Sequence, residues 1–184
     1  MKITKELLKE KGACADVYRD FLKEYPVDKY PDGVEYQELL DCCAEKNFSY
    51  GSWLLSAFGK TDEVRKIDGD LIVEEGIIFA GRLEVKGCIK AGRGINAGLG
   101  IKAGCGIKAG WGIKAGEGIE AGWGIEAGLG IEAGLGINAG DEFGIYAGLR
   151  SRITNKTQRK IIAKKRPENI MCGEFEEKKD DAVR

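Results

Sequence analysis

From Ile89 to Gly140 the chain repeats every six residues as Ile-x-Ala-Gly-x-Gly, and few folds accept such a repeat. With the first apolar residue of each unit taken as position 1, the series runs Leu71, Ile77, Leu83, Ile89 and onward at intervals of six, through Ile137 to Phe143. Position 3 is Val73, Phe79 and Val85, then Ala from Ala91 to Ala139, then Ile145. In extended backbone, positions 1 and 3 share one face and position 2 the other. Each unit therefore reads as a three-residue strand with one apolar face. The turn that follows carries glycines at positions 4 and 6, where positive φ is expected. One such strand cannot bury its apolar face alone, whereas many stacked together make a continuous core. The expectation is a β-solenoid (β-helix) wound from a single chain. The bulkier position 3 residues of the first units suggest a wider base.

The outward positions bear on how many units make one turn. Position 2 reads Lys90, Asn96, Lys102, Lys108, Lys114, Glu120, Glu126, Glu132, Asn138. A flat meander would set like charges side by side, which is destabilising. Three units per turn would stack Lys108 on Glu126, Lys114 on Glu132 and Lys102 on Glu120, with Lys90 on Lys108 as the one like-charge contact. Position 5 reads Arg93, Leu99, Cys105, Trp111, Glu117, Trp123, Leu129, Leu135, Asp141. It favours two units per turn, which would align Leu99, Trp111, Trp123 and Leu135 in one apolar column. The charge order favours three.

The segments flanking the array are different in kind. Residues 1–62 carry helical spacing: Thr4 caps a helix through Lys11, Ala13 to Tyr25 bears an apolar stripe, and further helices run from Glu35 to Lys46 and from Ser49 or Ser52 to Phe58. This part is expected to be a small helical cap that shields the exposed strand edge of the array over residues 63–149. Its Trp53 reads as core. The fold class is therefore α+β, a small helical domain capping a β-solenoid of six-residue units. Residues 150–184 read as a closing segment, with one strand over Lys160–Ala163 and a second over Asn169–Phe175, followed by a charged tail.

Much chemistry is absent. The chain has no histidine, which removes histidine general bases, Ser-His-Asp and Cys-His arrangements and histidine-ligated metals. The six cysteines form no CxxC pair and no zinc spacing. No metal, no cofactor and no enzymatic activity are expected. There is no signal-like h-region at the N-terminus, and no apolar run reaches the ~20 residues that span a bilayer. With free thiols, this points to a cytoplasmic chain without a membrane partner.

Two sets of residues remain as candidate contacts. The first is outward-facing on the array: Trp111, Trp123, Leu99 and Leu135 as apolar anchors, with Glu120, Glu126 and Glu132 beside them. The second is basic. Between Arg150 and Arg166 there are eight basic residues and no acidic ones. Arg150, Arg152, Arg159, Lys164, Lys165 and Arg166 are the candidates for an anionic partner. No aromatic residue interrupts that run to stack on bases, which argues against direct nucleic acid binding.

The six-residue period resembles that of the left-handed β-helix acyltransferases, but the small residue here follows the isoleucine by two positions rather than four. The histidine those enzymes use is missing. The layout as a whole, a helical N-terminus, then DLIVEEGIIFAGRLEVKGCIKAG, then GIxAG units, then KKRPENIMCGEF, resembles small uncharacterised proteins of bacteriophages and prophages. That resemblance implies a non-enzymatic inhibitor, acting in the host cytoplasm, that sterically blocks a host defence complex of the CRISPR or a similar type. Its partner would then be a host protein or nucleoprotein complex. The alternative is a structural or self-assembling scaffold, such as a virion accessory, associating through the face or end of the solenoid. The lysine-rich and glutamate-rich halves of the array, Lys90 to Lys114 and Glu120 to Glu132, are opposite in charge, which would steer a partner or favour head-to-tail self-association.

Overall fold

A computed structural model describes residues 1–149 and 155–179. The chain divides into two compact units, Met1–Gly59 and Lys60–Arg184.

The first unit holds four helices: α1 (Lys5–Glu10), α2 (Ala15–Glu24), α3 (Tyr36–Lys46) and α4 (Gly51–Phe58). Thr4 caps α1, its hydroxyl accepting the Leu7 N–H at 3.2 Å. The helix spacing in the sequence placed all four to within a few residues. The short antiparallel pair Lys2–Ile3 with Val34–Glu35 has no counterpart in the sequence pattern. Its Ile3 and Val34 are buried with Leu8, Phe21, Leu40 and Leu54. The Tyr36 hydroxyl donates to the carbonyls of Leu54 and Gly59, both at 3.1 Å, and so ties α3 to the end of α4. Trp53 is half-buried, edge-on to Phe58. Leu54 is the fully buried side chain of that helix, in place of the expected tryptophan core.

The second unit is a parallel β-solenoid of about six turns with three strands per turn. Each strand pairs with the one eighteen residues on: Ile89 with Ile107 and Ile125, Ile95 with Ile113 and Ile131, Ile101 with Ile119 and Ile137. Three sheets result. The first contains Leu71–Val73, Ile89–Ala91, Ile107–Ala109, Ile125–Ala127, Ile145–Ala147 and Ile170–Cys172. The second contains Ile77–Phe79, Ile95–Ala97, Ile113–Ala115, Ile131–Ala133, Lys160–Ala163 and Glu174–Glu177. The third contains Val64–Ile67, Arg82–Val85, Ile101–Ala103, Ile119–Ala121 and Ile137–Asn138.

The interior is as the period requires: Ile at position 1 and Ala at position 3 are buried in every strand from Ile89 to Ile131. In the earliest turn Phe79, Leu83 and Val85 fill the same space. Three features of the array's ends depart from the sequence reading. The array begins one strand earlier, with Val64–Ile67, where Arg65 holds position 1 opposite Leu83 and lays its guanidinium over the Phe79 ring at 4.5 Å. At the other end Phe143 is not a position 1 residue. Asp141 and Glu142 lengthen the corner by two, so that Ile145, Tyr146 and Ala147 pair with Ile125, Glu126 and Ala127. The expected strand over Asn169–Phe175 is two strands on two different faces, broken at Gly173, which has a φ of 120°.

The corner glycines also act differently from expectation. Among the described residues, none from Gly76 to Gly144 has positive φ. Position 4 is glycine because the stacked backbones approach too closely for a side chain. A Cβ on Gly116 would sit 2.1 Å from the Gly98 carbonyl oxygen, and one on Gly134 would sit 1.8 Å from that of Gly116. Position 6 is looser, with a Cβ on Gly118 meeting the Gly136 oxygen at an ordinary 3.7 Å.

The two glycines flanking Glu117 therefore separate the two effects. Gly116→Ala must push two turns apart and should cost about 1–3 kcal/mol, lowering Tm by roughly 4–10 °C. Gly118→Ala should stay within about 1 kcal/mol of the wild type, on the stabilising side if the entropy lost by the unfolded chain dominates. Thermal unfolding of the two variants checks this, and equal losses would refute the close-approach account.

Candidate functional site

With eighteen residues per turn, the outward side chains sort into three faces and three corners. Lys102, Lys108 and Lys114 belong to one turn, and Glu120, Glu126 and Glu132 to the next. Each lysine lies over a glutamate: Lys102–Glu120 at 3.3 Å, Lys108–Glu126 at 2.6 Å and Lys114–Glu132 at 3.2 Å. The two blocks of like charge in the sequence are thus two stacked rings of opposite charge, neutralised within the molecule. Each exposed pair contributes little, about 0.2–1 kcal/mol. Lys90 over Lys108 is the like-charge register expected for this winding.

The position 5 residues do not form a single column. Arg93, Trp111 and Leu129 stack at the corner between the first and second faces, each N–H of the later residue donating to the carbonyl of the earlier one. Leu99, Glu117 and Leu135 stack between the second and third faces, and Cys105 and Trp123 between the third and the first. Leu99 is buried, 8% exposed, and so offers no surface anchor; Leu135 is exposed. Glu117 between them is held by Arg82 at 2.5 Å and Lys60 at 3.6 Å.

This sorting singles out the first face. Trp111 stands at the corner leaving Ile107–Ala109, and Trp123 at the corner entering Ile125–Ala127, so the two tryptophans flank one face from opposite sides in adjacent turns. Trp123 is 51% exposed and stacks on Phe143, ring centroids 6.0 Å apart and 20° from parallel. Met171 packs over Gly144 beside them, Leu149 follows Ile145–Ala147 at the Trp111 corner, and Ile72 projects from the first strand. These six account for all the exposed large apolar side chains described in the second unit except Val64 and Leu135. The third face, by contrast, presents Lys66, Glu84, Lys102, Glu120 and Asn138. Phe143, Leu149, Met171 and Ile72 are exposed apolar residues of this region that the sequence alone does not single out. The signal for the first was present, because Gly144-Ile145-Tyr146-Ala147-Gly148 keeps the GIxAG motif and expels Phe143 from the core series.

Among the described residues, the basic run does not gather into one patch. Arg150 and Arg152 lie outside the described residues. Arg159 pairs with Glu174 at 3.6 Å, Lys160 pairs with Glu176, and Arg166 lies over the Phe175 ring at 5.4 Å. The Lys164 N–H donates to the Leu135 carbonyl. Lys165 and Arg166 border a cleft of about 560 Å³ with Asp141 and Glu168, above Ile137–Asn138, where the third sheet is one strand shorter than the others. Among the described residues no group of three or more Cys, Asp or Glu side chains is placed to hold a metal ion, and no helix is long and apolar enough to cross a membrane.

No family model matches the chain, and neither a curated protein nor a solved structure shows significant similarity to it. The fold and surface define it as a three-sided parallel β-solenoid, preceded in sequence by a small helical unit, with one aromatic-edged face.

Glu132 is the ring carboxylate with the firmest hold. Partial burial raises its pKa, but the Lys178 ammonium at 3.1 Å and Lys114 outweigh that and keep it below the usual carboxylate range. A carboxyl depressed in the folded state stabilises above its unfolded pKa of about 4.3, and that contribution fades as pH falls through the lower folded value. Glu132→Gln should cost up to about 1 kcal/mol at pH 7 and close to nothing at the acid limit of folding. Urea unfolding of both proteins at neutral and acid pH measures the difference; a gap independent of pH would contradict it.

Proposed function

We propose that this chain is a non-enzymatic protein-binding module that docks through the first solenoid face. The observation that carries the reading is the placement of Trp111 and the Trp123–Phe143 stack at the two edges of that face, partly exposed on a rigid backbone. Aromatic side chains held this way lose little entropy on binding and are the usual interface anchors. Large apolar groups gathered on one side of a molecule mark interaction surfaces more often than scattered ones do.

The resemblance of the layout to small phage and prophage proteins adds the narrower form of this proposal. The partner is then a component of a host defence complex, of the CRISPR or a similar type, and the solenoid acts by occupying its surface. That narrower form rests on the resemblance alone. The opposite charges of the two halves, which would steer a partner or join molecules head to tail, are spent within one molecule and favour neither this reading nor the scaffold alternative.

Affinity capture with the wild type, with Trp111→Ala/Trp123→Ala and with the third-face variant Lys102→Ser/Glu120→Ser tests the assignment. The tryptophan variant should lose at least about 30-fold in affinity for the captured partner, as loss of a hot spot would require. The third-face variant should bind as the wild type does. A partner retained equally by all three would overturn the first-face reading. Capture of no host component by any of them would overturn the defence-complex form.

A further inference from the structure

Two cysteines seventeen apart in sequence are separated by one residue less than a full turn. Cys105 stacks on Gly87, its N–H donating to the Gly87 carbonyl at 3.2 Å, and Cys88 is the next residue along. Stacked strands lie about 4.8 Å apart and a one-residue offset adds about 3.3 Å along the chain, so the two Cα atoms are about 6 Å apart, inside the range a disulfide spans. Both cysteines are free and partly exposed. Cys88 also breaks the repeat: position 6 is glycine in every unit from Gly94 to Gly136. The Cys88 N–H donates to the Asp70 carboxylate at 2.8 Å, which pins the corner.

The other cysteines are placed differently. Cys43 is buried in α3, its thiol pushed up to about 12 by desolvation, and so is a poor nucleophile. The Cys42 thiol is raised as well, chiefly by burial, and hydrogen-bonds Tyr25. Cys172 donates its S–H to the Ala147 carbonyl. Cys14 is exposed, at the N-cap of α2.

We propose that Cys88 and Cys105 form a thiol–disulfide site that reacts with low-molecular-weight disulfides and closes into a cystine joining two neighbouring turns. The Cys88 thiol beside it holds the Cys105 thiol above its ordinary range, with desolvation and the Asp70 carboxylate acting in the same direction. Cys88 is therefore the first nucleophile. Its thiolate attacks one sulfur of the disulfide RSSR, the S–S bond breaks, and RS⁻ leaves and takes a proton. Cys105 then gives up its proton and attacks the Cys88 sulfur of the mixed disulfide, expelling the second thiol. The small disulfide is reduced to two RSH, and the protein is oxidised by the loss of two hydrogens. The bond closes a loop of about one turn and restricts the unfolded chain.

Oxidised glutathione is the probe. Intact mass should fall by two hydrogens without a lasting adduct, and peptide mapping should find Cys88 joined to Cys105. Tm should rise by about 5–10 °C and fall back on reduction. Cys105→Ser should stop at a stable glutathione adduct on Cys88. Cys88→Ser should give no cross-link. A Cys14→Ser/Cys42→Ser/Cys172→Ser variant should behave as the wild type, and circular dichroism of every reduced variant should match it. Persistent mixed disulfides on the wild type, a cross-link through any other cysteine, or two thiols that stay open to alkylation after oxidation would each overturn the proposal.

Discussion

Everything in the second unit depends on how closely one turn of backbone lies on the next. Strand N–H and C=O groups pair between turns, and the pairing continues around the corners, as Gly110 to Ala91 and Trp111 to Arg93 show. At position 4 the approach is close enough that only glycine fits, so the carbonyl of one turn lies in the space a Cβ of the next would need. Burial of Ile and Ala supplies the hydrophobic driving force. The corner glycines let that burial occur at a constant pitch. Ala at position 3 serves the same geometry, because three strands per turn leave the interior room for three isoleucines and little else.

The eighteen-residue turn then converts sequence blocks into rings. Three lysines in successive units become one ring, and three glutamates become the ring stacked on it, so that each like-charged block is neutralised by the block after it. The rings cross all three faces, with Lys108 and Glu126 on the first. The first face differs because the irregular units fall there or at its edges: the lengthened corner that frees Phe143, the bulged strand with Met171, and the two tryptophans. Regular repeats build the core, and the departures from regularity supply the exposed apolar side chains of the first face.

The same logic governs the array's ends. Arg65 occupies a core position where no further turn requires an aliphatic residue, and its guanidinium lies over Phe79 rather than in solvent. At the C-terminal end the strand Glu174–Glu177 meets Lys160–Ala163, and its Glu174 and Glu176 take up Arg159 and Lys160 from the basic run. A cluster of positive charge in sequence is in this way dispersed over a strand pair, and Lys165 with Arg166 is left beside the cleft above Ile137–Asn138.

The sequence by itself determined the fold class and the position of every inward residue from Ile89 to Ile137; the order of lysine and glutamate favoured the three-strand turn against the two-strand turn favoured by position 5, and the strand pairing decided between them. These follow from local periodicity, and a period of two within a unit and six between units leaves one set of side chains to bury. Only the tertiary structure decided which outward residues share a face. That depends on the winding and on insertions, and a two-residue lengthening at Asp141-Glu142 moves Phe143 from the expected core to the surface beside Trp123. The apparent column of Leu99, Trp111, Trp123 and Leu135 dissolved for the same reason. Neighbours eighteen residues apart are not visible to a pattern read six residues at a time, and the same separation hid the contact between Cys88 and Cys105.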